Sequence, residues 1–298
     1  MLFLASFILK GQSQAALVAA SMAILGLVVP PAAWISAAVV VLVTLVNGPK
    51  SGLITTALSL TGAAIFAYLI FAAPQVAVMF VLLAWLPAWI AASILRQTVS
   101  LAMSLQVLTG ISLFAVIAIY VMFPNFGELW REPLDLIVQQ LAEQSDEFSL
   151  QELKQTENWV IDFLPGLFAS SIMFGTMLSL FLGRWWQAVF YNPGGFAKEF
   201  QGLNLGKISA IITLIILLAA MLLDSIEMVS LVAVISVLYG MQALSLLHAA
   251  INIRKINSTW LFVVYMAMFF VPHLLILLII ASLLDPWINI RQRISRPA

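Results

Sequence analysis

Side chains able to move a proton or hold a metal are few in this 298-residue chain: 13 acids, two histidines and no cysteine. Without cysteine there are no disulfides, thiolate metal sites or cysteine nucleophiles. His248 falls near the end of one apolar stretch, and His273 follows Pro272 inside another. Neither has an Asp or Glu at helical spacing, so neither assembles a metal site or a general-base dyad. An ionisable residue inside an apolar stretch is still a functional candidate by default. His273 keeps two readings, a ligand or proton relay, and a neutral imidazole hydrogen-bonded beside the Pro272 kink. No nucleophile, base and acid cluster together, and no cofactor motif is present. The expectation is a non-enzyme without metal or cofactor.

Neutral polar side chains are the other chemical material. Thr55, Thr56, Ser59, Thr61, Gln97, Ser100, Ser104, Gln106, Thr109 and Gln242 lie in apolar stretches. Such residues line a pocket or hydrogen-bond helices to one another. Gln106 and Gln242, the deepest, join His273 as pocket candidates.

The elements that hold these residues are membrane spans. The chain is 63% hydrophobic and 9% charged, against about 45–50% and about 25% for a soluble domain. Its 13 basic and 13 acidic residues cancel, which gives no sign of nucleic-acid binding and leaves the lipid bilayer as the certain partner. A bilayer core takes roughly 20 apolar residues per helix. Nine stretches qualify, at 12–29, 32–47, 51–72, 75–95, 98–123, 162–182, 207–223, 226–251 and 258–284. Pro30-Pro31 divides the first two, since proline lacks an N–H and disfavours helix just before it. The expected fold is all-α, a polytopic bundle of eight or nine spans. Its parts are an N-terminal bundle over 1–123, an acidic segment over 124–160, and a C-terminal bundle over 161–298 with an amphipathic linker at 183–206.

Lys and Arg favour the cytoplasmic side of short loops. Lys10, Lys50, Arg96, Arg184–Lys207 and Arg254-Lys255 share one side if the spans alternate, while Asp224 and Glu227 take the other. This predicts a multi-pass protein of the bacterial inner membrane with a cytoplasmic N-terminus. Arg291, Arg293 and Arg296 disagree, because nine crossings leave them outside. Met1–Leu9 has its only cation, Lys10, behind its apolar part, so it reads as an interfacial lead-in helix and not a cleaved signal.

Between Glu128 and Asp162 stand nine acids (128, 132, 135, 143, 146, 147, 152, 157, 162) against Arg131 and Lys154. Leu134, Ile137, Val138 and Leu141 recur at helical spacing after Pro133, a good first-turn residue. Ser149 with Glu152 is a capping-box pattern for a second helix. A short helical hairpin on the outer surface follows, either an acidic vestibule for cations or a solvated cap.

Asn47-Gly48-Pro49-Lys50-Ser51-Gly52 is a tight turn. Gly48 permits left-handed dihedrals, Pro49 fixes the next φ, Lys50 anchors to headgroups and Gly52 lets the next helix start close by. With the small-residue helix before it, this turn resembles the N-terminal part of the S components of energy-coupling-factor vitamin transporters, over about residues 12–70. There, a Gly-Pro-Lys-x-Gly turn links the second and third helices, and small residues spaced by four on the first helix dock a coupling subunit. The matching positions are Ala16 and Ala20, or Ala19 and Ala23, and such a flat alanine face serves either a partner subunit, as the resemblance implies, or an internal neighbouring helix. A second stretch, Gly183-Arg184-Trp185-Trp186-Gln187-Ala188 with Asn192-Pro193-Gly194-Gly195-Phe196, and the tail Leu284–Arg291 resemble the YybS-like family of uncharacterised bacterial polytopic membrane proteins, a distant relation of the S components. Arg184, Trp185, Trp186 and Tyr191 form an interfacial belt or a docking surface, and Phe196, Phe200 and Leu203 suit a stretch lying in the headgroup plane.

The resemblance implies small-solute binding or transport, with a membrane partner subunit or a small solute as occupant. The alternative is a non-transporting scaffold or assembly factor that docks partner proteins. A transporter is expected to enclose a polar cavity near the bilayer midplane; a scaffold is expected to be tightly packed, with grooves facing lipid.

Overall fold

Proline sets where the first long helices begin. In the computed structural model, which describes residues 2–144 and 149–295, a lead-in helix α1 (Leu2–Ile8) precedes α2 (Gln12–Gly26), α3 (Pro30–Asn47) and α4 (Pro49–Phe71). Pro30 and Pro49 occupy first-turn positions, where the missing N–H has no intrahelical partner to lose. The next span is not uniform: α5 (Gln75–Phe80) passes through a π-helical turn at Val81–Trp85 into α6 (Leu86–Thr98). α7 (Leu101–Met122) follows, its start capped by the Ser100 hydroxyl, which accepts from the Met103 N–H.

The acidic hairpin has the form its local signals predict. A short 3₁₀ turn (Gly127–Trp130) leads into α8 (Arg131–Gln144), and α9 (Leu150–Tyr191) opens with a complete capping box of Ser149 and Glu152. Asp146 and Glu147 lie outside the described residues. The second hairpin helix does not stop at the membrane span expected over 162–182. It continues through it, 42 residues in all, or about 63 Å at 1.5 Å per residue. Pro165 sits inside it and removes the N–H that would bond the Ile161 carbonyl. Gly127 packs onto that carbonyl, where any Cβ would stand 2.2 Å from the oxygen.

Next come α10 (Gly195–Gln201), α11 (Gly206–Leu223), α12 (Ile226–Ile253), α13 (Thr259–Phe270), α14 (His273–Ile288) and α15 (Ile290–Ser295). Helices α3, α4, α5–α6, α7, α9, α11 and α12 are long and apolar enough to cross a bilayer, and α2 is a shorter apolar helix. The core lies on α3, α9 and α12: 61% of the apolar stretch of α3 and of α12 is buried, against 11% of α11. One apolar core therefore joins the regions 1–123 and 161–298, with α9 packed on α3 and on α12. Glycine makes both approaches close. A Cβ on Gly183 would lie 2.5 Å from Val41 Cγ1, and one on Gly166 2.7 Å from Ser230 Cα.

The ninth expected span, 258–284, is not one helix. α13 and α14 meet at 113° around Pro272. Ser282 Oγ donates to the Tyr239 carbonyl, Gln242 Nε2 to the Ser282 carbonyl, and Arg291 Nη2 to Ser245 Oγ. α14 thus runs alongside α12 in the same direction, and brings the tail back to the end of the bundle from which α13 starts. Arg291 and Arg293 therefore share an end with the other basic loops; Arg296 lies outside the described residues. The conflict over the tail disappears because the last apolar stretch enters and returns.

Candidate functional site

Pro87, second residue of α6, explains the π-helical turn. It has no N–H for the Leu83 carbonyl and its ring crowds that oxygen, so the ladder widens just before it. The widened turn is pinned from one side. Trp85, fully buried, donates its indole N–H to Ser36 Oγ at 2.9 Å, and Ser36 donates to the Ala19 carbonyl at 2.6 Å. This chain links α2, α3 and the π turn.

Beside the turn lies an apolar cavity of about 370 Å³ between α3, α5–α6 and α9, lined by Trp34, Ala37, Met79, Phe80, Ser171 and Thr176 among others. Gly175 leaves room for Trp34, whose indole nitrogen would be 2.8 Å from a Cβ there, and Trp34 meets Phe174 edge-on at 6.1 Å. Two of the hydroxyls in the wall are turned back on their own helix: Thr176 donates to the Ile172 carbonyl and Ser179 to the Gly175 carbonyl. The cavity can accept an apolar body but offers a polar ligand few unclaimed groups. It is open, not enclosed.

A polar pocket of about 290 Å³ lies at the acidic end, bounded by Tyr120, Asn125, Glu128, Asp162 and Glu227. Tyr120 donates to the Asp162 carbonyl at 2.8 Å and shares a hydrogen bond with Ser230. The Arg131 guanidinium holds the Glu128 carboxyl below its ordinary range, and is itself raised by it. Glu152 is lowered too, by the Ser149 amide and hydroxyl of the capping box. The stabilisation from both carboxylates is therefore present above the ordinary carboxylate range and fades as pH falls through their lowered values. Among the described residues no three His, Asp or Glu side chains converge on a metal-sized site.

The pocket candidates do not line one cavity, although Gln106 and Gln242 both bond the Leu205 backbone. Gln242 is fully buried and lines none of these cavities: its Oε1 accepts the Leu205 N–H and its Nε2 donates to the Ser282 carbonyl. It fastens α12 to the linker and to α14. Gln106 does stand at a groove between α7 and α11, where its amide donates to the Leu205 carbonyl and Ser209 Oγ, both at 2.7 Å. His273 is exposed at the first turn of α14, on the bend and away from either glutamine.

Other sequence candidates turn out to be structural. Ala16 and Ala20 are buried at 7% and 1% exposure, as are Ala15, Ala19 and Ala23, and the face is covered by α3 and α4 of the same chain. A Cβ on Gly62 would lie 3.2 Å from that of Ala20. Of the two readings of this alanine face, a partner's docking surface and an internal neighbour, these contacts fit the internal one, because small residues bring backbones together within one chain as readily as between two. In the 47–52 turn, Gly48 has φ +101° and Pro49 starts α4. The Pro49 carbonyl accepts the Trp89 indole N–H, and a Cβ on Gly52 would lie 2.1 Å from Thr44 Oγ1. Asn47 and Lys50 are the exposed residues of the turn.

The linker at 183–206 begins later than its sequence suggests, since α9 carries through to Tyr191. Arg184 turns inward to Glu199, its Nε 3.0 Å from Oε2, and Trp186 is fully buried. Trp185 and Tyr191 face outward, as a belt does. Phe196 and Phe200 pack on Phe181 with centroids at 5.9 and 5.4 Å, and Phe200 meets His248. Leu203 is buried, so the apolar side of this stretch packs on the basic end of the bundle. The π turn and its cavity were missed from sequence; the one signal was Pro87 inside an otherwise plain apolar run.

Comparison of the chain with known protein families, with curated proteins and with solved structures finds no match.

Proposed function

We propose that the chain is a multi-pass protein of the bacterial inner membrane that binds a small apolar or amphipathic solute in the cavity between α3, α5–α6 and α9. The observation that carries this reading is the cavity itself, about 370 Å³ with an apolar wall and a π-helical turn pinned by Trp85 and Ser36. π turns inserted in helices concentrate at functional sites, and pockets for small molecules are mainly apolar with a few polar groups. Binding or transport on the pattern of an S component, and kinship with the YybS-like family, are supported by the Gly48–Lys50 turn and the linker sequence. A polar vitamin-like solute is not, since the mid-bundle cavities are apolar.

Native mass spectrometry of gently purified protein tests the reading. A small apolar molecule should leave with the wild type and be absent from Ala84→Phe, which fills the cavity wall. Retention of the same molecule by Ala84→Phe would overturn the assignment of this cavity. A second reading, a scaffold that docks other proteins, is favoured by the open lipid-facing groove between α7 and α11. A stoichiometric protein partner with no small molecule would select it.

The positive-inside tendency places the basic end in the cytoplasm and the acidic hairpin outside. The chain has no native cysteine, so single cysteines report cleanly. An impermeant thiol reagent added from outside should label Glu132→Cys and leave Lys50→Cys unlabelled. The reverse pattern would invert the topology.

A further inference from the structure

α11 starts short of the basic end. The Leu205 N–H bonds Gln242, 11 residues before the end of α12 at Ile253, so the linker dips inward before α11 begins. From there α11 and α7 stand apart. They leave a groove of about 600 Å³ walled by apolar side chains with Gln106 and Lys207 at the same end. Only Ala210 and Thr213 of α11 are buried. Gly110 and Gly206 line the groove, and a Cβ on either would meet nothing within 4 Å. Two of the donors nearest the mouth already have partners: the Gln106 amide nitrogen donates to Leu205 and Ser209, and the Thr109 hydroxyl to the Leu105 carbonyl. Lys207 is exposed and pairs with no carboxylate among the described residues.

We propose that this groove holds an anionic phospholipid, with one acyl chain along Gly110, Leu113 and Ile212 and the phosphate against Lys207. The occupant follows from the two ends of the site. Its wall is apolar and opens sideways on helices whose other faces are lipid-exposed, which suits a hydrocarbon chain. Its only unpaired formal charge is positive, which selects a negative headgroup. The site is separate from the solute cavity beside Trp85, so either can fail without the other.

The test uses the full-length protein in nanodiscs and in detergent, with phosphatidylglycerol and phosphatidylcholine as probes. Wild-type protein should retain phosphatidylglycerol in native mass spectra in preference to phosphatidylcholine. Lys207→Gln should reduce that preference about fivefold, the share of one lysine near an anionic surface, whereas Lys207→Arg keeps it. Gly110→Leu, which fills the groove in space that is empty, should lose both lipids while its melting temperature in detergent stays at the wild-type value. Undiminished preference in Lys207→Gln, or undiminished lipid in Gly110→Leu, overturns the proposal. So does inorganic phosphate displacing the lipid, because the site would then read the ion alone, or a bound protein found in place of lipid.

Discussion

Replacing Ala16 and Ala20 together with leucine should leave a protein that unfolds several degrees or more below the wild type in detergent, with no specific loss of any co-purifying partner. Both side chains sit against α3 and α4, at 7% and 1% exposure. The neighbouring Ala19 carbonyl accepts the Ser36 hydroxyl at 2.6 Å. Extra bulk there pushes α2 off its neighbours and strains the Ser36–Trp85 hydrogen bond beyond it. Overpacking costs about 1–3 kcal/mol per site, and the two positions, one turn apart, share neighbours, so their costs need not add. A thermal melt of the purified double variant measures this. A wild-type melting temperature would mean that α2 does not pack as described. A folded variant that sheds a partner would restore the docking role that the S-component resemblance implies for this face.

What was legible in the sequence was local. Ser149 and Glu152 are three residues apart, and the capping box they form needs nothing else from the fold. Gly48 and Pro49 likewise determine their own turn, through a φ of +101° and a first-turn proline. Span detection failed where length and charge conflict. Glu152, Glu157 and Asp162 argue for ending the membrane helix near 162, yet α9 continues through all three because nothing in the backbone prevents it. Charge limits the depth of a helix in lipid, not its length. Buried amides were legible as polar but not as to their partners. The depth of Gln242 follows from its place in an apolar stretch, and only tertiary structure shows that Leu205 and Ser282 claim both ends of its amide.

Proline was the most ambiguous signal, because one residue type produced four outcomes. Pro30 and Pro49 begin helices, Pro165 passes inside a continuous one, Pro87 widens a turn, and Pro272 precedes a bend of 113°. A missing N–H is common to all of them. What differs is what lies beside the freed carbonyl and which distant residues hold the following segment. For Pro272 those residues are Tyr239, Gln242 and Ser245 on α12, more than twenty positions away.

The returning tail rests on one ion pair, and Arg291→Met should release it. Asp285 has a side chain 3% exposed, and its Oδ2 lies 2.6 Å from Arg291 Nη1. Its Oδ1 also accepts the Ile290 N–H, which turns the chain between α14 and α15. Arg291 donates further to the Gln201 and Leu203 carbonyls and to Ser245, so one guanidinium ties the tail to the linker and to α12. Methionine keeps much of the bulk but leaves a buried carboxylate unpaired and two carbonyls without a donor. Breaking a buried pair from one side costs about 3–5 kcal/mol. That cost should appear first as local opening of 285–295, read by faster amide exchange and easier proteolysis there, and then as a lower melting temperature. Adding Asp285→Leu should recover part of the loss, because a buried pair replaced on both sides no longer strands a charge. An Arg291→Met protein whose tail exchanges no faster than the wild type would show that the ion pair does not hold the segment. The double variant separates the two contributions: recovery traces the loss to the stranded carboxylate, and no recovery assigns it to the lost bonds at Gln201 and Leu203.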